Sequence, residues 1–360
     1  MEATNLKKAG ILSLVLMLTF IGSWEIFWRS KGFKITYNDD VALWAVKRTK
    51  AYLPVNEATV FIGSSRIKFD IDIPTWEFIA GEKTVQLALV GTSPRKMLEY
   101  FANDVKFKGK LLLDVTEGLF YSRFPWANQS AIDAIKYYQN YSPSQKASAY
   151  INYGLESIFV FLEHRRFGLN ELLRGVPLSK RAGVMVEPPF PKEFEWTTYD
   201  RQTYMAPKFL SDTNLQKRQT AIWAEFGALD KTPAISGDSL LMIFKEVKNN
   251  IDKIKSRGGQ IAFIRPPSSG PWLQAETEVY PRKKYWDDML AYTNTIGIHF
   301  QDYPETSSFI CPEWSHLALN DAIIYTKHLV KTLEAKGWAF PNKLTTALNK
   351  INTKTFNHGF

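Results

Sequence analysis

The sequence predicts an α/β fold, a three-layer α/β/α sandwich with a mainly parallel sheet, together with an N-terminal transmembrane helix and a helical insertion. Short runs of apolar and β-branched residues alternate with helical stretches, and such βαβ units build a parallel sheet covered by helices on both faces. A long central segment lacks this alternation and predicts the insertion. The 360 residues could form two average domains or one large α/β domain with an insertion, and the hydrophobic content of 45% suffices for a substantial core.

The N-terminus predicts a membrane anchor. Lys7 and Lys8 precede an apolar stretch over residues 9–28, and a bilayer-spanning helix needs ~20 residues. Trp24 and Trp28 near its end are typical of the interfacial aromatic belt. A cleaved signal peptide is the alternative, but no small-residue cleavage site follows the stretch. We therefore predict an uncleaved helix.

The side of the membrane on which the main domain lies is predicted from the organisation of the chain rather than from its charge. Basic residues flank both ends of the apolar stretch, so the positive-inside rule is nearly balanced. A short N-terminus followed by a long folded domain usually places that domain outside. We expect residues 1–8 in the cytoplasm, a single span in the inner membrane, and the main domain in the periplasm.

The remaining elements are predicted in chain order from periodicity and from Gly and Pro stops. Residues 29–57 form a linker and an amphipathic helix, and an α/β domain at 58–340 precedes a C-terminal tail at 341–360. Helical patterns at 128–138 and 144–173 belong to the insertion, at about 118–240. The predicted strands are 58–62, 84–90, 111–115, 260–264 and 298–300; the principal helices between and after them are 95–103, 240–254 and 319–336.

Composition excludes several classes of function. The net charge of +9 suits nucleic acid, an anionic membrane surface or an acidic polymer, but no Lys/Arg-rich block or nucleic-acid motif is present, so no nucleic-acid partner is predicted. A single cysteine, Cys311, excludes an internal disulfide and a CxxC site. No metal-ligand motif and no Gly-rich phosphate loop occurs, and we expect no metal and no cofactor.

Two short motifs carry the chemistry. Gly63-Ser64-Ser65-Arg66 follows the first predicted strand. A buried strand that ends in a tight glycine turn, followed by a hydroxyl residue, can position a nucleophile. Alone, such a triplet is more often an ordinary turn. Far down the chain, Glu313-Trp314-Ser315-His316 places an acid and a histidine three residues apart before a helix. A serine hydroxyl needs a histidine base and an orienting carboxylate to become nucleophilic.

The order of these motifs resembles that of the SGNH/GDSL hydrolases. The family is defined by short sequence blocks. In the first block, Ser65 stands in the position of the nucleophile and Ser64 where many members have Asp; in the last block, Glu313 stands where the family has Asp. Gly91, after the second predicted strand, matches the glycine whose N–H donates to the oxyanion; a plain strand-to-helix glycine is the alternative. The family's third-block Asn is missing, and either Thr116, another residue or backbone donors alone would replace it.

More narrowly, the chain resembles the membrane-anchored proteins found with membrane-bound O-acyltransferases, such as those of alginate acetylation and teichoic-acid D-alanylation. The resemblance covers roughly 58–115 and 260–338. It implies a catalytic triad of Ser65, His316 and Glu313, and an oxyanion hole formed by the N–H groups of Ser65 and Gly91.

The implied function is O-acyl (acetyl) transfer to an envelope or secreted glycan through an acyl-serine. The alternatives are a de-acylating esterase, or a catalytically idle component that binds a glycan or a partner. The implied partners are the inner membrane, a membrane-bound O-acyltransferase and a glycan or acyl-ester substrate. Arg66 and Arg265 are candidates for binding an anionic substrate group, because Arg265 ends a predicted strand where ligands gather. A loop ion pair is the alternative for Arg265.

Overall fold

The computed structural model describes residues 2–54, 57–174, 190–229 and 232–341. The predicted tail lies outside these residues from position 342 onward. The strands are β1 Ala58–Ile62, β2 Lys83–Gln86, β3 Lys110–Asp114, β4 Glu195–Thr197, β5 Thr203–Met205, β6 Gln260–Arg265 and β7 Ile296–His299. The helices are α1 Glu2–Ser30, α2 Val41–Arg48, α3 Ser65–Asp70, α4 Ile73–Ala80, α5 Arg95–Asn103, α6 Glu117–Phe120, α7 Trp126–Gln139, α8 Pro143–Glu156, α9 His164–Phe167, α10 Leu169–Arg174, α11 Pro207–Ser211, α12 Thr213–Leu229, α13 Gly237–Lys255, α14 Gly270–Val279, α15 Asp288–Thr293, α16 Pro304–Ser307 and α17 Leu319–Ala335. Short 3-10 turns occur at Thr49–Tyr52, Val160–Leu162 and Phe300–Asp302, and a π turn at Lys283–Asp287.

The main sheet has five strands in the order β2-β1-β3-β6-β7, and every neighbouring pair in it is parallel. The predicted parallel α/β sheet is confirmed, with each predicted strand within a few residues of its place. Its central strands β1 and β3 are buried throughout, as expected of parallel strands covered on both faces.

Two hydrophobic clusters lie on the two faces of this sheet. Because side chains alternate along a strand, Val60, Leu111 and Phe263 join one cluster, and Phe61 and Leu112 join the other. The first cluster includes residues of α5 and α13, and the second includes residues of α4 and α17. Helices therefore cover both faces and leave the strand ends free to carry functional groups.

The segment predicted as a helical insertion contains the helices α6 to α12 and also the antiparallel hairpin β4–β5. The sequence did not predict the hairpin, because strands of three residues are too short for an alternating pattern to be read. The predicted helix 144–173 is wrong as one element: α8 ends at Glu156, and a 3-10 turn, α9 and α10 follow.

The hairpin is fixed to the main sheet by Arg201. Its guanidinium donates to the carbonyls of Gln86 (2.8 Å) and Ala88 (3.0 Å) at the end of β2. It also pairs with Asp39, which binds Lys68 as well. Each of these contacts places the central segment at the carboxyl end of the sheet.

The helix α1 contains the predicted anchor. Its segment Asn5–Ser30 has 26 residues and includes an 18-residue stretch with a mean hydropathy of 1.8, of which only 6% is buried. Among the described residues it is the one helix long and apolar enough to cross a membrane.

Candidate active site

The strand order creates a crevice between β1 and β3. The chain leaves β1 toward β2 on one side and continues from β3 toward β6 on the other. In open α/β sheets, ligands bind at such a switch point, beyond the carboxyl ends of the strands. Gly63-Ser64-Ser65 follows β1, and Asp114 ends β3.

The turn after β1 requires a glycine because it approaches β3 closely. A Cβ atom at Gly63 would lie 2.5 Å from the Cβ of Asp114. The next residue, Ser64, donates to Asp114 Oδ2 from its backbone N (2.9 Å) and from its Oγ (2.7 Å). Asp114 thus fixes the turn from which Ser65, the first residue of α3, projects.

Ser65, His316 and Glu313 form one hydrogen-bonded chain. Ser65 Oγ lies 2.8 Å from His316 Nε2, and His316 Nδ1 lies 3.0 Å from Glu313 Oε1. His316 and Glu313 are almost completely buried, whereas Ser65 is partly exposed. A base is therefore within reach of a hydroxyl that a substrate can approach, and a carboxylate orients that base.

Glu313 accepts hydrogen bonds through both carboxylate oxygens. Oε1 accepts from the backbone N of Ser315 (3.2 Å) and of His316 (2.6 Å), and Oε2 accepts from the indole N–H of Trp223. Burial by itself would raise the pKa of Glu313, but His316 and these donors outweigh it and lower the pKa below its usual range. The loop turns through Trp314, whose φ of 76° lies in the left-handed region.

The helix α3 holds the histidine loop in place. Asp70 at its end accepts a 2.8 Å hydrogen bond from the backbone N of Leu317, and Arg66 Nε donates to Ser315 Oγ at 3.4 Å. Burial raises the pKa of Asp70 well above its usual range, which favours its neutral form. One short helix therefore carries the serine and positions the loop of the base.

The predicted oxyanion donors lie on adjacent segments. Ser65 is the first residue of α3, so its N–H has no acceptor within the helix. Gly91 has a left-handed φ of 63°, and Leu89 N bonds Gly63 O at 3.0 Å, which holds the Gly91 loop beside the serine turn. Thr116 lies 2.9 Å from Ser64 Oγ through its hydroxyl.

Arg66 and Arg265, the two candidates for substrate binding, are both buried and bind opposite oxygens of the Glu276 carboxylate. Arg265 also bonds Glu117 (3.1 Å) and Ser268 (2.8 Å). Arg265 therefore forms an ion pair, as in the alternative, but its carboxylate partners lie on α6 and α14 rather than in its own loop. Burial would raise the pKa of Glu276, but the two guanidinium groups hold it at about 2.

Replacing Glu276 by Gln should destabilise the protein strongly. The change leaves two buried guanidinium groups without their shared carboxylate, and breaking a buried ion pair typically costs about 3–5 kcal/mol. Urea unfolding at neutral pH would measure the loss. Asp252→Asn is the matched control, because it breaks the exposed pair with Lys248, and such pairs contribute at most about 1 kcal/mol. Equal midpoints for the two variants would contradict the prediction.

Aromatic side chains surround the imidazole. The rings of Phe69, Phe194 and Trp223 have their centroids 4.4, 6.2 and 6.4 Å from that of His316. Phe190 and Trp272 in turn contact Trp223. The central segment supplies Phe190, Phe194 and Trp223, and so contributes directly to the candidate active site.

Sequence reasoning missed Asp114 and Trp223. Asp114 could have been predicted as a site residue, because it is a carboxylate at the end of β3 and the carboxyl ends of parallel strands lie at the edge of the sheet where ligands bind. Nothing local marks Trp223, which reaches Glu313 across 90 residues of chain. Trp196 and Tyr204, aromatic residues of the same segment, instead pack on each other, with ring centroids 4.8 Å apart.

Replacing Trp223 by Phe should lower kcat by about 10-fold. The variant keeps the aromatic ring but removes the N–H donor to Glu313, and a hydrogen bond to a charged group contributes about 1.5–3 kcal/mol. Steady-state kinetics should show the change in kcat with KM nearly constant. Trp126→Phe, at an exposed indole, should leave both constants unchanged, and a similar loss there would show that Trp223 has no special role.

No model of a known protein family matches this chain, and a search of the curated proteins finds no similar sequence.

Proposed function

We propose that this protein is a membrane-anchored serine enzyme of the SGNH type that transfers an O-acyl group, such as acetyl, to an envelope or secreted glycan. The observation that carries the proposal is the chain of hydrogen bonds from Ser65 through His316 to Glu313. It supplies a nucleophile, a base and an orienting carboxylate in the arrangement that acyl transfer requires. A catalytically idle domain would not need this alignment.

The reaction proceeds in two steps. Ser65 Oγ attacks the carbonyl of an acyl donor while His316 Nε2 takes its proton, and Glu313 stabilises the imidazolium. The N–H groups of Ser65 and Gly91 stabilise the oxyanion. The donor's alcohol or thiol leaves with the proton from His316. A glycan hydroxyl then gives its proton to His316 and attacks the acyl-serine to form the new ester. The bond between the acyl group and Ser65 Oγ breaks as His316 returns the proton to Oγ, which restores both residues.

Two features support transfer rather than hydrolysis. The aromatic rings packed around His316 restrict water at the acyl-serine. Trp223 and Phe190 keep exposed ring surface and offer a place for a sugar to stack. The helix α1 keeps the domain near the inner membrane, where a membrane-bound O-acyltransferase could supply the acyl group. In this proposal the domain faces the periplasm.

The direction of the reaction can be tested in cells. Deleting the gene should remove the ester-linked acyl groups of the glycan, and the wild-type gene, but not Ser65→Ala, should restore them while both proteins accumulate equally. Acyl content can be measured after mild alkaline release. A rise in acyl content on deletion would instead identify a de-acylating esterase, and restoration by Ser65→Ala would identify a binding component.

A further inference from the structure

The end of the apolar helix α1 is fixed to the domain. The carboxylate of Glu25 accepts a hydrogen bond from the backbone N of Val160 at 3.0 Å, and Arg29 donates to the carbonyl of Ile158 at 2.8 Å. Trp28 packs against Phe167 with ring centroids 4.8 Å apart. The helix is therefore packed on the segment 158–167.

If α1 spans the bilayer, these contacts fix how deep the segment 158–167 lies relative to the membrane. The span Asn5–Ser30 has 26 residues, or about 39 Å at 1.5 Å per residue, whereas the hydrocarbon core is about 30 Å thick. Glu25 and Arg29 lie in its last two turns and so fall in the interfacial region at one end. Ile158 and Val160, which bind them, lie at the same depth.

The surface beside these contacts is apolar and exposed. On α8 and just after it, Ile151, Leu155 and Ile158 recur at the spacing of one helix face. The helix α10, which follows Phe167, exposes further leucines. We call these residues the anchor-side surface: Ile151, Leu155, Ile158, Leu169, Leu172 and Leu173. Ile151 is 63% exposed and Leu169 70% exposed, so the described part of the chain leaves these side chains uncovered.

Basic residues border the same region. Lys31 and Lys34 are exposed and follow α1 directly. Arg165 and Arg166 lie on α9, between the two apolar helices, where they pair with Glu195 and Glu163. Because the two arginines are neutralised by these ion pairs, Lys31 and Lys34 supply the positive charge of the border. Lysines beside an apolar face are typical of segments that lie in the headgroup region of an anionic membrane.

We propose that the anchor-side surface lies in the interfacial region of the phospholipid bilayer and holds the domain against the membrane in one orientation. The proposal rests on α1 spanning the membrane, as in the proposed function. Lipid is the occupant that fits, because the surface continues directly from the lipid-facing helix and is bordered by lysines. The catalytic serine then has a constant height above the bilayer.

Depth-dependent quenching in the full-length protein tests the proposal. Cys311 is buried, so a single introduced cysteine can carry an environment-sensitive fluorophore. Leu155→Cys and Leu172→Cys probe the surface, and Leu16→Cys probes the middle of α1. The matched controls, Phe78→Cys and Val105→Cys, are at least as exposed (81% and 72%) but lie outside the segments that contact α1. The proteins are reconstituted in vesicles of phosphatidylethanolamine and phosphatidylglycerol with nitroxide-labelled lipid.

The labels at Leu16, Leu155 and Leu172 should lose emission to the lipid quencher, and those at Phe78 and Val105 should not. Quenching at Leu16 alone would mean that α1 spans the membrane but the anchor-side surface does not touch it. Equal quenching at the control positions would mean that the contact is not specific to this surface. Absence of quenching at Leu16 would overturn both the span and the inference. If the labels at Leu155 and Leu172 are exposed to water in vesicles but shielded from water in native membranes, a protein partner rather than lipid covers the surface.

Reaction of Ser65 with a fluorophosphonate, measured in the same vesicles, reports folding and the active site separately from membrane contact. As a second variant, Leu155→Glu should reduce quenching of a label at Leu172 while the Leu16 label stays quenched. Val105→Glu should change neither. If Leu155→Glu also leaves the Leu172 label fully quenched, the surface does not hold the domain on the membrane.

Discussion

Ser65→Ala and His316→Ala should each reduce acyl transfer by about 10⁴- to 10⁶-fold. Removing the nucleophile or the base of a serine triad leaves only the contributions of binding and of the oxyanion hole. Esterase activity on an aryl acetate and labelling by a fluorophosphonate would measure the loss. Labelling should disappear in Ser65→Ala, because the reagent bonds to its Oγ.

The neighbouring serine provides the matched control. Ser64 donates its hydroxyl to Asp114 and contacts Thr116, but it makes no contact with His316 among its hydrogen bonds. Ser64→Ala should therefore still be labelled, at a lower rate if the turn loosens. Thermal unfolding of all variants would show that the domain remains folded. Labelling that persists in Ser65→Ala and disappears in Ser64→Ala would move the nucleophile to Ser64.

Glu313→Gln should lower the rate by about 10⁴-fold, as replacing the acid of a triad by its amide does elsewhere. The carboxylate accepts bonds from His316, from two backbone N–H groups and from Trp223. A glutamine has a single acceptor oxygen, so its NH₂ group must face a donor on one side. The imidazole would lose both its orientation and the charge that stabilises its cation. Unchanged kcat in this variant would remove Glu313 from the mechanism.

The same variant has a predicted pH signature in stability. Because the pKa of Glu313 is lowered in the folded protein, its ionised form stabilises the fold above the usual glutamate pKa of about 4.3, and this contribution is lost as pH falls through the lowered value. The stability difference between wild type and Glu313→Gln should therefore be largest at neutral pH and shrink in acid. Glu99→Gln, in an exposed pair with Lys96, should show little difference at any pH.

The parallel sheet could be predicted from local patterns. A strand of a parallel sheet that is buried on both faces is a short, nearly continuous apolar run, and β1, β3 and β6 each contain such a run. The β4–β5 hairpin was missed because its strands have only three residues each. Its position could not be predicted either, because Arg201 fixes it to carbonyls more than 100 residues away. Likewise, α8 ends early where its following residues bind α1, a contact that no periodicity reveals.

The amino-acid sequence by itself determined the five strands of the main sheet, the apolar helix and the two motifs that contain Ser65 and His316, because each depends on neighbours within a few residues. Only the tertiary structure decided what these groups touch. It placed Ser65 Oγ 2.8 Å from a histidine 251 residues away, assigned Ser64 to Asp114, and gave Glu313 the indole of Trp223. It also buried Arg66 and Arg265 against Glu276. The reason is physical: a buried charge must have a partner, but which partner it finds depends on the packing of distant segments rather than on its own neighbours in the chain.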